Sequence, residues 1–317
     1  EGKPRPGMSS KLRQCQKFVE IVGNLISSFK QDQQTCISVV DMGCGRGYLT
    51  FSLHSYLQRT YQQSKDAASC RVKSRGIDVR PKLVQEMNGI ARELGPSFDG
   101  LDFCEGTIEQ IMTSENDKTT GSMHPQDEKD GDLNILIALH ACDTATDDAL
   151  WFGIDRQCDI IVTAPCCHKE VRRQLDVHVA GSGKGDHQHP YGDVLRHNIY
   201  RERMAETVTD SLRALLLELA HYHVQVFEFI GGEHTSKNVM IVATKLPNPR
   251  SDADLMDIQD RIQALAHLHG VSKQRLSTWM GKVVLAPENA ENMDDTTPPQ
   301  TANHKKLSPK RMPPLVS

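Results

Sequence analysis

No stretch of this chain approaches the roughly 18 consecutive apolar residues that a membrane-crossing helix needs, so neither a membrane span nor a membrane partner is expected. Basic charge is not in excess either. Lys and Arg number 37 against 41 Asp and Glu, a net charge of −4, which argues against a global nucleic-acid footprint while leaving room for a local patch. Nine cysteines in 317 residues are too sparse for a disulfide scaffold, and no two of them stand in C-x-x-C spacing. The opening Glu1-Gly2-Lys3-Pro4-Arg5-Pro6 carries no apolar stretch of a secretory leader, so a reducing compartment, the cytosol, is expected. A chain of this length can bury a large core without staples.

What is present is alternation of strand and helix. Leu12, Cys15, Phe18, Val19, Val22, Leu25 and Ile26 recur at helical spacing. The β-branched run Ile37-Ser38-Val39-Val40 ends at Asp41 and a glycine cluster, and a helical pattern follows over about 48–57. The unit repeats: a strand over 72–77 ends at Asp78, and Pro81 opens a helix carrying Leu83, Val84, Met87, Ile90, Ala91 and Leu94. Further strands are predicted over 101–105, 133–139 and 159–163, then a long helix over 196–221, then strands over 224–230 and 238–244. This alternation implies a doubly wound, seven-stranded, mostly parallel sheet. The loop joining the last two strands is too short for a helical crossover, so an antiparallel pairing is expected at that edge. Segments 58–69 and 113–132 are polar and read as surface insertions. Segment 177–198, rich in Gly and His, reads as a candidate substrate loop. A helical pattern over 251–285 contains Trp279 and has no functional reading. The tail holds six of the 15 prolines and is expected to be disordered.

The segment Asp41-Met42-Gly43-Cys44-Gly45-Arg46-Gly47-Tyr48 lies where the first strand hands over to the first helix, the place where such sheets bind nucleotides. Its spacing is G-x-G-x-G rather than the G-x-G-x-x-G of a dinucleotide site. With its leading acid it resembles motif I of the class I methyltransferases that use S-adenosylmethionine. The resemblance implies a Rossmann-like methyltransferase fold and S-adenosylmethionine as cofactor. Asp78, ending the second strand, can accept both ribose hydroxyls. Glu105-Gly106-Thr107-Ile108 occupies the place where the superfamily contacts adenine, with Thr107 replacing the usual acid and Ile108 equally readable as core. The implied cofactor residues are Asp41, Gly43, Cys44, Gly45, Gly47, Tyr48, Asp78, Thr107, Ile108 and His140.

Two further segments leave neighbouring strand ends: Leu139-His140-Ala141-Cys142-Asp143-Thr144-Ala145-Thr146-Asp147, and Ala164-Pro165-Cys166-Cys167-His168-Lys169-Glu170. They resemble a branch of class I methyltransferases that includes the tRNA acceptor-stem ribose methyltransferases, with Asp143 standing where that branch has Gly. Lys11-Leu12-Arg13-Gln14 and Glu233-His234-Thr235-Ser236-Lys237-Asn238 look like features of the same branch and are expected to border the site. RNA, particularly tRNA, is the substrate the resemblance implies, with no DNA partner expected. A protein or small-molecule substrate, or a scaffold that keeps the cofactor without catalysis, stand as alternatives.

The candidate catalytic residues are His140, Asp143, Cys166 and His168. Three chemistries remain open: polar groups that orient or deprotonate a ribose hydroxyl, zinc bound by Cys142, Cys166, Cys167 and His168, or Cys166 as a covalent nucleophile. Adjacent Cys-Cys is poor for tetrahedral chelation, so no metal is expected. The cysteines are equally readable as small residues that shape the crevice. These readings divide the chain into a flexible 1–10, a methyltransferase domain over 11–248, a helical extension over 249–285 and a disordered tail over 286–317.

Overall fold

The computed structural model describes residues 9–29, 36–62, 70–107, 110, 132–139, 141–181, 189–231 and 237–282. Helix α1 (Ser9–Ser28) leads into β1 (Cys36–Met42), α2 (Tyr48–Leu57), β2 (Arg71–Asp78), α3 (Pro81–Glu93) and β3 (Leu101–Glu105). After β4 (Asp132–Leu139) come α4 (Thr144–Asp155), β5 (Ile160–Ala164), α5 (Lys169–Gly181), the short α6 (Gly192–Leu195) and α7 (Asn198–Leu219). Strands β6 (Tyr222–Glu228) and β7 (Val239–Lys245) and helices α8 (Asp252–His269) and α9 (Arg275–Trp279) complete the described chain.

The seven strands form one sheet in the order β3-β2-β1-β4-β5-β7-β6. The first five run parallel, and β7 runs antiparallel between β5 and β6. This is the doubly wound, mostly parallel sheet with an antiparallel edge that the alternation implies. Every residue of β1 and β5 is buried, as central strands covered on both faces require. Successive residues serve opposite layers. Val39, Ile135, Ile137 and Val162 pack with α1 and α2, whereas Val40, Leu136, Ala138 and Ile161 pack with α4, α7 and α8.

Differences from the sequence reading are local. Strand β6 begins two residues earlier than expected, because Tyr222 anchors it: the ring is buried and its hydroxyl donates to the Cys158 carbonyl at 2.9 Å. The remainder of β6 is an edge with mostly exposed side chains. The segment read as a substrate loop is partly regular, since α5 runs on to Gly181 and α6 buries Leu195 against Leu175 and Ala205. Insertion 58–69 starts as a π-helical turn (Gln58–Gln62) that buries Tyr61; its remainder, and most of 113–132, lie outside the described residues. The stretch without a functional reading packs on the sheet's helical layer, with Ile258, Ile262, Ala266 and Leu276 in the core. No helix among the described residues is long and apolar enough to cross a membrane.

Candidate active site

The carboxyl ends of β1 and β2 lie side by side, in register from Asp41 opposite Gly76 to Met42 opposite Ile77. Beyond them the glycine turn folds back on β2. The amides of Gly43 and Cys44 both donate to the Ile77 carbonyl, at 2.9 and 3.0 Å. Gly43, Gly45 and Gly47 all have positive φ, 71°, 59° and 66°, a backbone that side-chain-bearing residues adopt only with strain. A side chain at Gly43 would meet nothing within 4 Å, so the backbone there faces open space. Gly47 is constrained from the other side, where an added carbon would sit 3.0 Å from the Phe103 ring. Cys44 turns its sulfur into that same packing, beside Phe51 and Phe103, and burial followed by Asp41 and Asp78 raises its thiol pKa. Only its backbone belongs to the turn. Tyr48 stands exposed at the start of α2.

The two acids differ in state. Asp41 is buried and accepts one short bond, 2.6 Å, from the Thr50 hydroxyl. Burial pushes its carboxyl from 3.8 up to about 7; the Thr50 bond opposes the shift and Asp78 adds to it. Asp78 is fully engaged. Oδ2 accepts from the Gly45 amide at 3.0 Å and from Arg80 Nη2 at 2.8 Å, while Oδ1 accepts from the Arg80 amide at 3.0 Å and Nε at 2.7 Å. The Arg80 guanidinium holds this carboxyl below its ordinary range. Arg80 itself is 62% exposed, whereas the Asp78 side chain is 6% exposed.

Thr107 and Gln110 bond reciprocally, amide to side chain, at 3.0 and 3.1 Å. Thr107 therefore serves as a local cap in this structure. Ile108 and His140 lie outside the described residues, as do 232–236 of the expected border segment. At the other border, Gln14 and Cys15 are buried in α1. The Cys15 thiol is pushed up to about 11, first by burial and then by Asp41, with Lys11 opposing; the first turns of α1 thus lie near the end of β1.

At β4 and β5 the structure assembles the two Cys/His segments. Cys142 Sγ lies 3.5 Å from Cys166 Sγ, which lies 3.6 Å from Cys167 Sγ. Asp143 has φ 53° and ψ −123°, a conformation that a side-chain-bearing residue adopts only with strain. Its carboxylate caps α5, accepting from the amides of Lys169 at 2.7 Å and Glu170 at 3.1 Å. His168 does not open onto the crevice. It is buried, with Nε2 3.1 Å from Asp210 Oδ1, and joins a network that sequence reasoning missed. Arg213, 1% exposed, donates to Asp210 at 3.0 Å, to Asp147 at 2.9 and 2.6 Å, and to the Asp143 carbonyl at 2.9 Å. Burial works against its charge, but Asp147 and Asp210 outweigh burial and raise its pKa. Gln274, the N-cap of α9, adds a 2.5 Å bond to Asp147. The only signal for this network was the Ala-Thr-Asp segment itself; nothing in the spacing pointed to Arg213.

A family model described as a methyltransferase domain matches residues 10–174, just over half of the 317. The chain belongs to the methyltransferase domain family. It is an S-adenosylmethionine-dependent methyltransferase, and its open glycine turn and two acids fit that cofactor. Among solved structures, the methyltransferase is similar to magnesium protoporphyrin IX methyltransferase from Synechocystis PCC 6803 with bound SAH. Identity there is 13% over 78% of this chain and 90% of that one, with a TM-score of 0.39. It is also similar to geranyl diphosphate methyltransferase in complex with GPP and sinefungin, at 14% identity, 74% and 78% coverage, and a TM-score of 0.38. A comparison with curated proteins finds no match.

Proposed function

We propose that this methyltransferase modifies RNA, with tRNA as the preferred substrate and the cytosol as its compartment. The carrying observation is a surface that mixes aromatic and basic side chains. Tyr191 and Tyr200, each 48% exposed, alternate with exposed Arg196 and Arg203 around the start of α7. Aromatic faces that stack bases, interleaved with cations that follow phosphates, are the local patch that a net-acidic chain needs in order to bind single-stranded RNA. The patch is tied to the crevice through α5. Arg172, in the first turn of α5, donates to Asn198 at 2.5 Å and to Glu202 at 2.8 Å, and Asp143 caps the same helix.

When bound, the cofactor supplies a methyl group on a positively charged sulfur. Bound there, it would pass that methyl directly to the acceptor atom, its sulfur keeping the electron pair of the broken carbon–sulfur bond and the acceptor proton passing to solvent. Positioning supplies much of the rate in such a step. Here the glycine turn, Asp41 and Asp78 orient the donor, and the β4 and β5 ends hold the acceptor.

The experiment is methyl transfer from tritiated cofactor to separated tRNA, other RNA, protein and metabolite fractions. Label is expected in tRNA, and label confined to protein or metabolites would refute the proposal. Replacing Tyr200 and Arg203 together with Ala should raise KM for tRNA about tenfold, the loss of roughly one stacked base, while leaving S-adenosylhomocysteine affinity intact.

A further inference from the structure

Cys142, Cys166 and Cys167 each offer a sulfur, and all three sulfurs lie within 4.8 Å of one another. We propose that these three thiolates bind one Zn²⁺ ion at the carboxyl ends of β4 and β5, leaving its fourth coordination position open toward the crevice.

Geometry is the first support. Zinc–sulfur bonds of about 2.3 Å in a tetrahedron set the sulfurs roughly 3.8 Å apart, and the observed separations are 3.5 and 3.6 Å along the two connected pairs. In a regular strand, adjacent residues would point to opposite faces, which is what makes Cys-Cys an unpromising chelate on paper. Cys166 and Cys167 lie instead in an irregular connection after Pro165, past the end of β5, and there both sulfurs reach one point.

Preorganisation is the second. The Asp143 carboxylate, one residue after Cys142, holds the first turn of α5, two residues after Cys167. Arg213 holds the Asp143 carbonyl. The two loops that carry the ligands are thus fixed to each other by groups other than the cysteines, as supporting shells fix metal ligands elsewhere. On binding, each Sγ–H releases its proton to solvent as its bond to zinc forms, so three thiols and Zn²⁺ give a complex of net charge −1 and three protons.

Ligand softness selects the ion, since three sulfur donors favour zinc over magnesium or calcium. His168 is not the fourth ligand: its Nε2 meets Asp210, and neither ring nitrogen falls within the cluster that the three sulfurs form. Cys142 is exposed while the other two are half-buried, so the open position is reachable from solvent.

The test uses the full chain, reduced and stripped with chelator, then titrated with Co²⁺. The expected result is sulfur-to-cobalt charge-transfer absorbance in the near ultraviolet that saturates at about one equivalent and is displaced by Zn²⁺. Protein as purified should carry about one zinc by elemental analysis. Cys142→Ser, at an exposed position, should weaken Co²⁺ binding at least about tenfold without changing the circular dichroism, and Cys166→Ser should abolish it. Cys104→Ser, outside the cluster, should leave the titration unchanged. Overturning results are absorbance that fails to saturate, a signal indifferent to Cys142→Ser and Cys166→Ser, or a protein that takes no metal and instead forms a Cys142–Cys166 disulfide on mild oxidation. None of these readouts depends on the RNA substrate.

Discussion

The two halves of the crevice are built on different principles. At the ends of β1 and β2 the geometry is made by backbone: glycines at positive φ, amides folded onto Ile77, and one acid met by its near neighbour Arg80. At the ends of β4 and β5 it is made by side chains from four places in the sequence, with Asp143, Asp147, His168, Asp210, Arg213 and Gln274 meeting in one buried network. A backbone site tolerates change around it but not within it. A network site fails from a distance.

The sharpest way to break that comparison is Arg213→Met. It leaves Asp147 and Asp210 buried without their cation, a loss of about 3–5 kcal/mol, to be read from urea unfolding. A loss near zero would mean that the network does not hold the acceptor half together. The matching change in the donor half, Gly45→Val, forces a branched residue to φ 59°. It should cost about 1–3 kcal/mol locally and lower S-adenosylhomocysteine affinity at least about tenfold by calorimetry, with the fold retained.

Smaller effects separate the roles of Asp78 and Arg80. Asp78→Ala should weaken S-adenosylhomocysteine binding by roughly tenfold, the loss of about 1–2 kcal/mol in hydrogen bonds to the ribose. Arg80→Ala should tighten it by up to about fivefold, because an exposed guanidinium that competes for the same carboxylate is then gone. Equal weakening by both would make Arg80 a ligand contact rather than a competitor.

The smallest effects are pH-dependent. Asp41, raised to about 7 mainly by burial, is protonated in the fold below that value. Its contribution to stability is therefore present at low pH and lost as pH rises from about 4 through 7. Above 7 it carries a buried charge, with which the cofactor's ammonium is expected to pair. S-adenosylhomocysteine should accordingly bind more tightly at pH 8 than at pH 6, and Asp41→Asn should flatten that dependence. His54 and His269 run the other way. Burial lowers both to about 4, so the unfolded chain takes up protons first, and stability falls as pH drops from about 6.5 toward 4. Urea midpoints across this range in the wild type and in His269→Gln measure the second effect.

The same contrast explains what could be read from the sequence. The glycine turn was legible because its requirement is local: an acid, three glycines and a helix start within eight residues, and Asp78 at the end of the next strand. The doubly wound, mostly parallel sheet followed from alternation, and its antiparallel edge from one short loop. Asp143 and His168 were legible as members of a segment but not in their setting, since neither the capping of α5 nor the bond to Asp210 leaves a mark in spacing. Arg213 sits in a helix whose amphipathic pattern gives no reason to single out one polar residue, and Gln274 is one polar residue in the turn that caps α9. The meeting of three sulfurs depends on how two loops bend beyond their strands, which residue pattern does not encode.

The clasp made by the last helix has a consequence for how the chain comes into being. Gln174 in α5 binds the backbone of Ser272 and Lys273. Asp148 in α4 takes bonds from Arg275 and Trp279, and the Trp279 ring stacks on Trp151 at 6.4 Å. Residues 147–151 leave the ribosome more than a hundred positions before the partners that complete them. Strands β1, β2 and β3 pair with one another and can close while synthesis continues. The β4–β5 half must wait with Asp147 lacking its bond from Gln274 until the segment around 274–279 has emerged.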